Sequence, residues 1–224
     1  MARVALVLGA TGLVGNEITR DLLGRNEWDE IRVLVRRPLG FEHPKLKQTI
    51  IDWGELGRYE DVFSGVAAVF CALGTTIKKA GSQRAFEVVD LDYPLQAAAL
   101  AKKQGVKQFL VVSSVGANSK SRTFYTRTKG LMEEGLIAAD FQGVHIFRPS
   151  LLLGERQEFR IGERVAAGLM KGLDFMLTGK GAKYRAIQGK TVARAMINIA
   201  LAGTRGVHVY SNEVIHVLGK EQNS

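Results

Sequence analysis

Five apolar residues followed at once by three glycines constrain this chain more than any other stretch. Val4-Ala5-Leu6-Val7-Leu8 is apolar throughout, the pattern of a strand buried on both faces. Gly9, Gly12 and Gly15 follow with the spacing G-x-x-G-x-x-G, and an amphipathic run from Asn16 to Leu23 comes next. Strand, glycine turn and helix in that order form the context in which the motif means a bound dinucleotide. Gly9 allows the tight turn, Gly12 lets backbone approach a pyrophosphate, and Gly15 lets the helix pack close to the strand. The helix N-terminus then offers unpaired N–H groups and a positive dipole end to the phosphates.

The rest of the chain repeats this alternation. A second strand, Ile31 to Val35, ends in Arg36-Arg37-Pro38. NAD sites place a carboxylate about twenty positions after the glycine turn, where it accepts from a ribose hydroxyl. Two arginines stand there instead, and a guanidinium grips a 2′-phosphate with two parallel bonds. The cofactor read from this is NADP(H), with Arg36, nearest the strand end, the better candidate and Arg37 beside it. Gln48 to Trp53 reads as strand three, with Asp52 where an adenine ring would be hydrogen-bonded. Glu55 to Ser64 reads as a helix, and Val66 to Leu73 as strand four. The glycine that closes strand four makes Leu73 and Gly74 candidate cofactor contacts.

Lys78 to Arg84 reads as loop, and Phe86 to Gln104 as a long helix that Pro94 kinks near Tyr93. Gln108 to Val112 is strand five, closed by Ser113-Ser114-Val115-Gly116. A helix from Tyr125 to about Ala139 and a strand from Val144 to Phe147 follow. Helices Glu163–Lys171 and Val192–Ala202, a strand over Val207–Tyr210 and a last helical turn or two near Ser211 complete the reading. Such alternation implies right-handed crossovers and a Rossmann-like, doubly wound parallel α/β sheet with helices on both faces. The expectation is one domain over 1–224, with about 150–224 as a small C-terminal extension on the substrate side. Every flagged residue falls at the carboxyl end of a strand, where such sheets bind ligands.

Composition narrows the function classes. The 46% hydrophobic and 24% charged fractions are those of a globular protein, and no run approaches the roughly 20 apolar residues of a membrane helix. The start of the chain lacks a signal-peptide pattern, and its one cysteine, Cys71, lies in an apolar run and reads as inert core. Together these point to the cytoplasm. The net charge of +9 comes from scattered residues without interleaved aromatics, which disfavours nucleic acid and leaves the charge as solvated surface with a part focused on a phosphate-bearing ligand. His43, His145, His208 and His216 are dispersed without metal-ligand spacing, so no metal is expected. The partner read is a small-molecule substrate, with no membrane; a protein partner and the oligomeric state stay open.

Tyr125 and Lys129 carry the chemistry. Four apart in a helix, they share one face. The lysine charge favours the ionised phenol and its ammonium reaches a ribose hydroxyl, so the tyrosine passes a proton to or from a carbonyl oxygen as hydride moves. Ser114, at the end of strand five, is placed to hydrogen-bond the same oxygen, with Ser113 the alternative.

This serine–tyrosine–lysine pattern is that of the short-chain dehydrogenase/reductase superfamily, and the turn resembles its extended and atypical branches. More closely, Cys71-Ala72-Leu73-Gly74-Thr75-Thr76, Val89-Asp90-Leu91-Asp92-Tyr93, Ser113-Ser114-Val115-Gly116-Ala117, Phe147-Arg148-Pro149 and Gly154-Glu155-Arg156-Gln157-Glu158 resemble the Tat-interacting-protein oxidoreductase group. The resemblance implies NADPH, with Gly9, Thr11, Gly12, Leu13 and Val14 on the pyrophosphate, Arg36 on the 2′-phosphate and Leu73 and Gly74 beside the adenosine or central ribose. It also implies Tyr125 as proton donor or acceptor with Lys129, the backbone near Leu151 and Leu152 along the nicotinamide, and Arg160 as a second phosphate contact. Many superfamily members carry an asparagine in the fourth helix that helps relay protons, and Asp90 stands near that place in this chain. The expectation is an NADPH-dependent oxidoreductase acting on a small carbonyl or enone. Because members of the group are partly described as regulators, an NADP(H)-sensing binding protein is the alternative.

Overall fold

The computed structural model describes residues 2–154 and 185–220. Seven strands form one sheet: β1 (Val4–Leu8), β2 (Glu30–Val35), β3 (Leu46–Ile50), β4 (Val66–Cys71), β5 (Gln108–Val112), β6 (Gly143–Phe147) and β9 (Gly206–Tyr210). Their order is β3-β2-β1-β4-β5-β6-β9, and every pairing is parallel. The order reverses between β1 and β4, which opens a crevice at their carboxyl ends. A separate parallel pair joins β7 (Leu152–Leu153) to β8 (Ile187–Gln188).

The alternation within β1 builds two cores. Ala5 and Val7 point to one face, where Val14, Ile18 and Leu22 of the helix Leu13–Leu23 meet Val192, Met196 and Ile199 of the helix Gly189–Ala202. Val4, Leu6 and Leu8 point to the other. There Ala97, Ala98 and Ala101 of the helix Tyr93–Lys103 and Met132 and Leu136 of the helix Phe124–Ala138 cover the sheet. Period-2 strands and period-3.6 helices thus deliver their apolar sides to the same two layers. The described part of 150–224 supplies β9 and a core helix. The helix expected over Glu163–Lys171 lies outside the described residues.

Four expectations change in detail. Lys78 to Arg84, expected as loop, lies within two short helices, Ile77–Ala80 and Gln83–Glu87. The Thr76 hydroxyl accepts from the Lys79 N–H and the Ser82 hydroxyl from the Ala85 N–H, and Gly81 turns the chain between them at φ +84°. The helix expected over Glu55–Ser64 is a 3₁₀ stretch, Trp53–Phe63, broken at Glu55 and Tyr59, and strand three stops at Ile50. The kink at Pro94 takes the form of a π-helical turn, Val88–Asp92, in which the Tyr93 N–H reaches back to the Val88 carbonyl. Pro94 has no N–H to offer the Asp90 carbonyl four residues back, so the wider turn falls where the α-helical ladder breaks.

Candidate active site

Gly9 adopts φ +86°, and a Cβ there would stand 2.5 Å from the Ala72 carbonyl oxygen. The turn therefore rides directly on the backbone leaving β4. The Gly12 N–H donates to the Gly9 carbonyl at 2.8 Å, and Gly12 caps the helix Leu13–Leu23 without a side chain or a first-turn carboxylate to occupy its amides. At Gly15 a Cβ would overlap the Gly9 carbonyl outright. The three glycines form a cradle that side chains would fill, which fits a pyrophosphate lying on the helix N-terminus.

The described positions flagged with it follow the carboxyl ends of β1 to β4 or lie in the short strand β7. Thr11 is exposed on the turn and Val14 is buried beneath it. Leu13 packs where a side chain at Gly154 or Gly189 would otherwise sit, so the segments near β7 and β8 close over the start of the helix. Leu152 is half-buried in β7. Arg36 and Arg37 are exposed just past β2, with no hydrogen bond or ion pair to another described residue. Asp52 is also exposed, and its Oδ1 accepts the Gly54 N–H at 2.8 Å, so this carboxylate caps the 3₁₀ stretch. Leu73 and Gly74 are half-buried on the segment after β4. Arg160 lies outside the described residues.

Tyr125 and Lys129 occupy the first two turns of the helix Phe124–Ala138. The half-buried Tyr125 ring packs 5.6 Å from Phe86. Lys129 is buried, and its Nζ pairs with Asp90 Oδ1 at 2.8 Å. The second Asp90 oxygen accepts the Thr75 N–H at 2.8 Å. Burial works against the Lys129 ammonium, but the Asp90 carboxylate beside it outweighs that cost and raises the lysine above its ordinary value. Sequence reasoning had marked Asp90 only as a departure from an asparagine, without a partner.

A second buried network was missed altogether. Glu133, one turn beyond Lys129, is 3% exposed. It accepts from the Ser113 hydroxyl and takes both arms of the Arg148 guanidinium, Nε at 3.0 Å. That pairing raises the Arg148 pKa. The i, i+4 step from Lys129 to Glu133 was the available signal. Ser113 thus commits its hydroxyl proton to Glu133, whereas Ser114 has only a 3.3 Å contact with the Val115 carbonyl. Cys71 is fully buried and burial pushes its thiol up to about 11. We expect it to resist alkylation by iodoacetamide at pH 8 in the folded protein and to react after denaturation, as mass spectrometry of the cysteine peptide would show. Among the described residues no three metal-ligating side chains come together, and no helix is long and apolar enough to cross a membrane.

A parallel sheet in this order, with a glycine cradle at a helix N-terminus beside its crossover, defines a dinucleotide-binding protein of the Rossmann class. Residues 9–151 match the family model described as NAD(P)H-binding. The chain belongs to that family, within the atypical short-chain dehydrogenase/reductase superfamily and alongside the Tat-interacting-protein group. It is 35% identical to protein HTATIP2 of Rattus norvegicus over 221 residues, covering 97% of this chain and 89% of that one. It is 36% identical to protein FMP52-2, mitochondrial, of Scheffersomyces stipitis, covering 76% of each. Among solved structures it resembles MoeE5 in complex with UDP-glucose and NAD, with a TM-score of 0.69 at 19% identity over 96% of this chain and 80% of that one.

One expectation falls here. Several relatives, including those of Scheffersomyces stipitis and Debaryomyces hansenii, are named mitochondrial, which conflicts with the cytoplasmic assignment. A single buried cysteine rules out an internal disulfide wherever the chain resides, so cysteine count never discriminated between compartments.

Proposed function

We propose that this protein is an NADPH-dependent oxidoreductase that reduces a small carbonyl or enone. The observation that carries the reading is the Tyr125–Lys129 face, whose lysine is buried against Asp90, the carboxylate that also holds the Thr75 N–H on the segment after β4.

Gly9, Thr11, Gly12, Leu13 and Val14 would hold the pyrophosphate through backbone amides at the helix N-terminus. Leu73, Gly74 and Asp52 would flank the adenosine, and Leu152 the nicotinamide. Bound there, the reduced nicotinamide supplies hydride. The protein supplies the rest. Lys129 donates to a ribose hydroxyl, Tyr125 passes its phenolic proton to the substrate oxygen as negative charge develops, and Ser114 donates to that same oxygen. Ser114 is preferred to Ser113 because its hydroxyl proton is not committed to a buried carboxylate.

The preference for NADP(H) rests on Arg36 and Arg37, which stand where NAD sites carry a carboxylate and have no acidic partner among the described residues. We expect R36E to weaken NADPH binding at least about tenfold while leaving NADH within about twofold, since a charge-assisted contact contributes about 1.5–3 kcal/mol. Parallel fluorescence titrations with the two cofactors check this, and equal losses for both would remove Arg36 from the 2′-phosphate.

A panel of aldehydes, ketones and enones tests the reaction itself, with NADPH oxidation followed by absorbance. Turnover of at least one class is expected. Tight NADPH binding with no turnover across the panel would replace the enzyme with a nucleotide-sensing protein.

A further inference from the structure

We infer that Asp90 is a positioning residue whose carboxylate bridges Lys129 to the segment after β4, fixing the ammonium between Tyr125 and the cofactor crevice. This rests on the reading of Lys129 as the lysine that holds the ribose.

Asp90 is 1% exposed, and both of its oxygens accept: Oδ1 from Lys129 Nζ and Oδ2 from the Thr75 N–H, each at 2.8 Å. An asparagine fits only one of these partners. Its amide nitrogen has no lone pair to offer, so it would face either the ammonium or the Thr75 N–H donor to donor. A carboxylate is therefore the group this pocket is built for. The backbone is shaped to deliver it. Asp90 lies in the π-helical turn Val88–Asp92, where the helix is widened just before Pro94.

The bridge has a functional consequence. Thr75 follows Leu73 and Gly74, the proposed adenosine contacts, and Lys129 is the proposed ribose contact. One carboxylate therefore ties two cofactor-binding elements that are far apart in sequence, the segment after β4 and the helix Phe124–Ala138. Breaking it frees both. It also leaves Lys129 buried without its counter-charge, so desolvation then disfavours the ammonium.

The titratable groups acting on Lys129 are Asp90 from the π-helical turn, Tyr125 from its own helix and Cys71 from β4, whose thiol burial keeps neutral. Removing Asp90 removes the one permanently charged partner. The test is an NMR titration of the apo protein labelled at lysine Cε and Nζ, with the Lys129 resonance assigned by its loss in K129M. Wild-type Lys129 should stay protonated to at least the ordinary lysine value of about 10.4 despite its burial. In D90N it should lose its proton at least about one pH unit earlier. An unshifted lysine in D90N overturns the inference. If D90N does not fold, the wild-type titration still decides: loss of the proton well below the ordinary value means that Asp90 does not hold the ammonium in solution.

A second arm reads the consequence. In D90N, NADPH affinity should fall about tenfold as pH rises through the lowered lysine value, and the double variant D90N/K129M should lose that added pH dependence. A pH-independent loss in D90N would mark a general packing defect and overturn the positioning role. Wild-type protein that binds no NADPH at any pH would refute the cofactor reading, while the titration of Lys129 in the apo protein would still decide the bridge.

Discussion

Replacing Tyr125 with phenylalanine should lower turnover by about 10²–10⁴-fold while NADPH affinity stays within about twofold. The range is that of removing a positioned general acid, and it corresponds to roughly 2.7–5.5 kcal/mol of transition-state stabilisation. Phenylalanine keeps the ring that packs against Phe86, so the helix start is not disturbed. It also leaves the Lys129–Asp90 pair in place, so the proposed ribose contact is not removed. Only the hydroxyl is lost. The measurement is a pair of assays on the same preparation: NADPH titration for binding and steady-state NADPH oxidation with the best substrate for turnover. If kcat falls and cofactor affinity holds, the phenol acts in the chemical step. If turnover is unchanged, Tyr125 is a packing residue and another group supplies the proton. K129M is the poorer probe. It strands a buried carboxylate, at a cost of about 3–5 kcal/mol, and so confounds chemistry with folding.

The fold was legible because its signals are periodic and local. An uninterrupted apolar run gave β1, alternating strand and helix lengths gave the parallel sheet, and the glycine spacing gave the crevice. The Tyr125–Lys129 face was legible for the same reason, since a four-residue step within one helix needs no knowledge of distant parts of the chain. What escaped was of two kinds. The caps at Thr76 and Ser82 were local but hidden in a polar run, where each hydroxyl's target amide depends on a turn the sequence does not announce. The buried networks were non-local: Asp90 meets Lys129 across 39 positions, and Ser113 and Arg148 meet at Glu133 from the ends of two different strands. A buried charge implies a partner, but sequence alone does not say which residue it is. The short C-terminal elements were read thinly for a related reason. β7 and β8 are two-residue strands whose pairing comes from their contact with the rest of the fold rather than from their own pattern.

The glycine cradle gives the second large effect, and Gly15 and Gly12 should separate by what their missing side chains would touch. At Gly15 the added methyl would overlap the Gly9 carbonyl, an immobile backbone atom at the root of the turn. The helix Leu13–Leu23 must then move away from β1, carrying its N-terminal amides out of reach of a pyrophosphate. We expect G15A to cost about 1–3 kcal/mol of stability, as overpacking of a filled core does. At this chain length that is a fall of roughly 2–12 °C in Tm, and NADPH affinity should drop at least about 100-fold with it. Gly12 differs. An added Cβ would lie 3.1 Å from the Gly9 carbonyl oxygen and 3.8 Å from that of Ala72, a tight but accommodable fit. G12A should therefore leave Tm within about 2 °C of wild type and lose affinity chiefly because the methyl occupies the approach of the phosphate. Thermal melts with and without NADPH distinguish the two. Wild type should gain Tm with NADPH, G12A should match wild type only without it, and G15A should melt low in both. If G12A melts and binds like wild type, the pyrophosphate does not cross Gly12, and the dinucleotide must lie elsewhere along the crevice than over this turn.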